Sequence, residues 1–142
     1  MPIEPDDVIL NKGAIIERSL RRMMEEFHAD PELKNFTHID AMILNIERTC
    51  RAAIDCAMHA VSIHHAGIPQ NSADAFILLK KASLLTDLTV KSMIGMTGFR
   101  NVAIHEYQDL EMNVLRNIVE KEWKSLVNFC SEMGVSIKVN NI

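Results

Sequence analysis

The chain has 142 residues, 48% of them hydrophobic but only 5% aromatic, so its apolar load rests on Ile, Leu, Val, Ala and nine Met, a palette of helix-packed cores rather than sheets. A formal net charge of −4 excludes a protein that is basic all over and coats nucleic acid by counterion release, although a local basic cleft suffices for a short substrate. Cys50, Cys56 and Cys130 are odd in number and lack CxxC spacing, which argues against a disulfide framework or zinc knuckle and for reduced, buried thiols. The acidic, Pro-containing start and the lack of a long apolar run imply no signal peptide and no membrane span, hence a soluble cytoplasmic protein.

Residues 8 to 28 carry a helical apolar stripe through Val8, Ile9, Ile15, Ile16, Leu20, Met23 and Phe27, and Asp30-Pro31 should end it, because the residue before a proline is pushed out of the helical region. Arg18, Arg21 and Arg22 on this helix are either a binding contact or, more simply, a solvated face. Thr37-His38-Ile39-Asp40 resembles an N-cap for a long second helix. In it Ile39, Ile43, Ile46, Cys50, Ala53, Ala57, Ala60 and His64 recur at spacings of four and three, with Gly67-Ile68-Pro69 as the stop.

Ser72 is expected to cap a third helix reaching about Leu84, with Phe76, Leu79 and Ala82 inward. Thr86 should cap a fourth from Asp87 towards Ile104, with Val90, Met93 and Ile94 inward. A last helix is expected from about Leu110 to Met133 through Met112, Leu115, Val119, Trp123, Leu126, Phe129 and Cys130, closed by Gly134. Residues 135–142 read as a C-terminal tail or a short extended segment. These elements predict one all-α domain over residues 1–142, an up-and-down bundle of four or five helices.

The polar cluster near the end of the fourth helix departs from ordinary helix filling. Gly95 and Gly98, each costing roughly 1 kcal/mol relative to Ala in a helix interior, precede Arg100-Asn101-Val102-Ala103-Ile104-His105-Glu106-Tyr107. The glycines suit either close packing or a hinge. Arginine offers a permanent charge and forked donors matched to phosphate oxygens. Histidine titrates near neutral pH and can exchange a proton with a ribose 2′-hydroxyl or a leaving 5′-oxygen. On a regular helix Arg100 and His105 lie about 140° apart. For both to act on one phosphodiester, either the helix breaks here or a second chain completes the site, as a two-fold dimer would. Asp55 and His59, four apart on the second helix, can pair locally. His59, His64 and His65 are not spaced as helical metal ligands, so no metal and no cofactor is expected. Lys80-Lys81 reads as solvated.

The stretch from Gly98 to Tyr107 resembles the Arg-x4-His-x-Tyr signature of HepT-like HEPN toxins, matching at Arg100, Asn101, His105 and Tyr107. Ser83 stands where a family glycine is expected. The resemblance implies a homodimeric HEPN helical bundle acting as a metal-independent endoribonuclease on cellular RNA, tRNA or mRNA, in a type VII-like toxin–antitoxin pair. Arg100 and His105 would be catalytic and Asn101 supporting. Asp55 would orient His105 or sense substrate. A cognate minimal nucleotidyltransferase would neutralise the toxin by transferring AMP to Tyr107, adding bulk and negative charge beside Arg100. The alternative is a non-catalytic helical dimer that only binds the nucleotidyltransferase, with a higher assembly open in either case.

Overall fold

Among the described residues six α-helices form the framework, and the chemistry of their ends is local. The computed structural model describes residues 3–105 and 112–139, with only the backbone described over 100–105; there is no strand among the described residues. The Asp6 carboxylate accepts a hydrogen bond from the Ile9 amide at 3.0 Å and so starts α1 (Asp7–Ala29). The helix stops at Asp30 as expected, and the Asp30 carboxylate then accepts from the Lys34 and Asn35 amides at 3.1 and 2.8 Å, shaping the turn. The N-cap of α2 (Phe36–Ile63) is Asn35, not the Thr37 region: its side-chain oxygen accepts from the Thr37 amide at 2.9 Å. Similarly, Asn71 rather than Ser72 caps α3 (Ser72–Lys81), accepting from Asp74 at 2.8 Å. In both places an asparagine one or two positions earlier supplies the oxygen.

The predicted stripe of α2 is buried from Ile39 to Ala60, but His64 lies beyond the helix and is exposed. The buried surface of α2 is in fact wider than one stripe and includes Met42, Asn45, Thr49, Ala52, Cys56 and Val61. The reason is its position. It packs along α1 and also meets α3, α4 (Asp87–His105) and α6 (Lys124–Glu132), so most of its circumference faces protein.

Three helices close in the same way. The Ala66 amide donates to Val61 O, Leu84 to Leu79 O and Val135 to Cys130 O, with His65, Ser83 and Gly134 at positive φ in the left-handed position. Ser83 thus occupies, with φ 63°, a conformation that favours glycine. α3 accordingly ends before Leu84, and Ala82 is exposed rather than inward. At Gly134 a Cβ would sit 2.3 Å from the Ile3 carbonyl oxygen, at φ 88°. Gly134→Ala is expected to lower stability by about 3 kcal/mol through left-handed strain plus backbone collision. Denaturant unfolding checks this, and an unchanged midpoint would contradict it.

The last helical region is not one uniform helix. α5 (Met112–Asn117) passes through a π-helical turn (Ile118–Glu122), marked by the Trp123 amide donating to Ile118 O at 3.1 Å, into α6. The wide turn absorbs a change in the apolar repeat from Leu115-Val119-Trp123 to Leu126-Phe129-Met133, and every one of these residues is buried. Met112, expected inward, is 38% exposed. After Gly134 the chain runs extended along α1. Val135 fills the space over Gly13, Ile137 is buried, Lys138 N donates to Glu17 at 2.7 Å, and Arg21 Nε donates to Lys138 O at 2.8 Å. The described part of the tail is therefore a docked strap.

Candidate active site

α4 carries the candidate motif. Its start is held by Thr86, whose hydroxyl accepts from the Thr89 amide at 3.3 Å, as expected of a cap. Glu132 of α6, which the sequence did not single out, accepts from the Thr86 amide at 2.7 Å and from the Thr89 hydroxyl. This ties α4 to α6. Asp87 in the first turn has its carboxyl held below the usual range by hydrogen bonds from Lys80 and then Lys91.

Further along, Val90, Met93, Met96 and Phe99 are buried. A repeat of three lags a 3.6-residue helix by about 60° per step, so the buried side swings round the axis as α4 passes from one neighbour to the next. For that reason Ile94, expected inward, is instead 37% exposed. The Cys50 thiol of α2 reaches the Met96 carbonyl at 3.6 Å. Gly95 and Gly98 are exposed, and a Cβ added at either would meet nothing within 4 Å among the described residues. Close packing against the described residues is therefore not what selects glycine there.

The helix continues without a break through position 105. The 100° register places positions 94, 98, 101 and 105 within about 60° of one another, so Asn101 and His105 share the side of α4 that bears exposed Ile94 and Gly98. Arg100 keeps its offset of about 140° from His105. A helix break between them is thereby removed as an explanation. The side chains of Arg100, Asn101 and His105, and Tyr107 altogether, lie outside the described residues.

Asp55 is described, and its contact is with α1: Lys12 Nζ lies 3.5 Å from its Oδ2. On α2 it sits about 140° from Cys50, the residue touching α4. His59 does not pair with Asp55 as a local helix pair. Its Nε2 meets Asp6 Oδ2 at 2.6 Å, and that hydrogen bond, with the one from Ile9, lowers the Asp6 carboxyl below its ordinary value. Asp6 therefore caps α1 and joins it to α2 at once. All three cysteines are buried, and burial pushes the Cys56 and Cys130 thiols up to about 12, which makes them inert as nucleophiles near neutral pH. Among the described residues no group of three or more His, Cys, Asp or Glu can hold a metal ion, and no helix is long and apolar enough to cross a membrane.

Comparison with known proteins gives a consistent result. Residues 15–133 match the family model described as ribonuclease HepT-like. The chain is 35% identical over 125 residues to the mRNA nuclease HepT of Shewanella oneidensis, covering 87% of this chain and 94% of that protein. It is 36% identical over 63 residues to the tRNA nuclease HepT of Aphanizomenon flos-aquae, 44% of this chain and 43% of that one. Among solved structures it resembles a tri-AMPylated Shewanella oneidensis HEPN toxin in complex with MNT antitoxin, with TM-score 0.87 and 33% identity, covering 92% of this chain and 98% of that chain. A toxin–antitoxin structure with AMP-PNP is similar at TM-score 0.86 and 32% identity, covering 91% and 98%.

Proposed function

The chain belongs to the ribonuclease HepT-like family, and on that premise we propose that it is the toxin of a toxin–antitoxin pair, an endoribonuclease silenced when a nucleotidyltransferase antitoxin transfers AMP to it. The observation that carries this reading is a likeness extending over nearly the whole of a nuclease and, in fold, over nearly the whole of an AMPylated toxin.

In the proposed reaction the RNA supplies its own nucleophile, so no metal is required. The ribose 2′-oxygen bonds to phosphorus and the P–O5′ bond breaks, leaving a cyclic phosphate and a 5′-hydroxyl. His105 takes the 2′-hydroxyl proton or gives one to the leaving 5′-oxygen. Arg100 binds the charged phosphoryl oxygens as charge develops on them, and Asn101 positions the substrate. An unbroken α4 supports the view that a second copy completes the site, one protomer's Arg100 working beside its partner's His105. Exposed Ile94, Gly95 and Gly98 on the adjoining side of α4 suit such an approach. The chain acts as a single domain in the cytoplasm, where its RNA is found.

Tyr107 is the proposed acceptor of AMP. Adenylylation there sets bulk and negative charge next to Arg100 and bars an RNA backbone by sterics and repulsion. Co-expression with the nucleotidyltransferase followed by mass analysis should show the Tyr107 peptide heavier by one or more AMP units, and Tyr107→Phe should abolish both the gain and the neutralisation. A neutralised complex whose Tyr107 peptide keeps its unmodified mass would overturn the assignment.

A further inference from the structure

We infer that the groove between α1 and α2 lined by Lys12, Arg48 and Arg51 binds the phosphodiester backbone of RNA, as a second contact on the side of α2 turned away from α4. The inference rests on the ribonuclease reading for its choice of ligand. The groove has a volume of about 260 Å³ and is completed by Ile15, Ala52 and Asp55. That is below the roughly 300–1,000 Å³ of pockets that enclose a small molecule. A strand laid across it needs no enclosure.

What sets this place apart is the grouping of its cations in one groove. In a chain with 19 acidic and 15 basic residues, several exposed cations elsewhere find carboxylates. Arg21 lies 3.7 Å from Glu17, Arg22 lies 2.6 Å from Glu25 and 3.2 Å from Glu26, and Lys80 and Lys91 lie 2.8 and 3.2 Å from Asp87. Arg48 and Arg51 are exposed and have no ion pair or hydrogen bond among the described residues. Three apart on α2, they share one side of the helix. The only carboxylate in the groove, Asp55, is already beside Lys12. One negative charge thus faces three positive ones in a protein that is acidic overall. Two unoccupied guanidinium forks above the apolar floor of Ile15 and Ala52 match phosphate oxygens over a sugar face. Arg18, three residues beyond Ile15 on α1, adds another exposed cation.

The register gives the contact a further property. Round α2, Arg48 lies about 160° and Arg51 about 100° from Cys50, whose thiol meets α4. Only an RNA long enough to pass around α2 reaches both the groove and the end of α4, so the groove should tighten binding of long substrates and leave very short ones unaffected.

The test uses full-length His105→Ala protein, which holds RNA without cutting it, and a 30-nucleotide unstructured RNA followed by fluorescence anisotropy. Adding Arg48→Gln with Arg51→Gln should weaken binding about tenfold and flatten the log K against log salt plot by about 1.4, two contacts at roughly 0.7 each. Adding Asp55→Asn should act in the opposite direction and tighten binding about two- to threefold, which damage to the fold would not do. Unchanged affinity and salt slope in the double variant would overturn the inference. So would intact RNA binding with lost binding to the nucleotidyltransferase, since that outcome makes the groove a protein contact. Cleavage of a very short RNA by the unaltered chain is measured separately. Its failure counts against the ribonuclease reading, whereas loss of groove-dependent binding alone counts against this one.

Discussion

His105→Ala should lower RNA cleavage by a factor of about 10²–10⁴, the usual contribution of a positioned general acid or base, while leaving the helix in place. Alanine has a higher helix propensity than histidine, so the substitution removes the imidazole without weakening α4 intrinsically. The expected loss is in kcat, because the proton transfer belongs to the transition state and not to substrate binding. Arg100→Gln should also impair cleavage, by withdrawing the fixed charge that meets the phosphoryl oxygens. Single-turnover cleavage of a defined RNA, with circular dichroism to verify helix content, separates the two effects. Full cleavage by the alanine variant would end the assignment of His105. If the unaltered protein bound the nucleotidyltransferase but cut no RNA at all, the non-catalytic dimer would be the correct reading.

Phe129→Ala should be the most damaging single truncation of the fold. Phe129 on α6 is fully buried and meets buried Phe76 of α3 edge to face, with ring centroids 5.7 Å apart and an interplanar angle of 78°. Truncating a buried Phe costs about 3–5 kcal/mol, and the lost aromatic pair adds about 0.5–1.5 kcal/mol within or beyond that range. At this chain length each kcal/mol moves the midpoint by about 3–4 °C, so a fall in Tm of at least about 10 °C is expected. Phe129→Leu, which keeps most of the volume, should lose under half as much. A thermal melt of Phe129→Ala within about 2 °C of the unaltered protein would show that the site collapses without penalty, contrary to interior packing density. Below its lowered midpoint the variant should still cleave RNA, because neither ring belongs to the catalytic motif.

The sequence alone determined what depends on neighbours along the chain. Spacings of three and four placed Ile39 to Ala60 on a buried face of α2, Asp30-Pro31 ended α1, Thr86 began α4 and Gly134 closed the last helix. The run from Arg100 to Tyr107 carried the family likeness that the whole-chain comparisons support. Caps were misplaced by one or two residues because several polar side chains near a helix start compete for the same amides, and only backbone geometry chooses Asn35 and Asn71.

Tertiary structure decided what a periodic pattern cannot express. Ile94 is exposed because α4 turns its buried side as it crosses several helices, and a π-helical turn keeps both Val119 and Trp123 inward across a change of repeat. Residues 135–139 become ordered only because Gly13 leaves room on α1 and because Glu17 and Arg21 face the strap. Lys12 and the Arg48–Arg51 pair lie more than thirty positions apart in the chain and form one groove only once α1 and α2 are packed. Apart from the hydrogen bond of the π-helical turn itself, the deciding contacts join residues distant in sequence, and their energy exists only after the helices have docked.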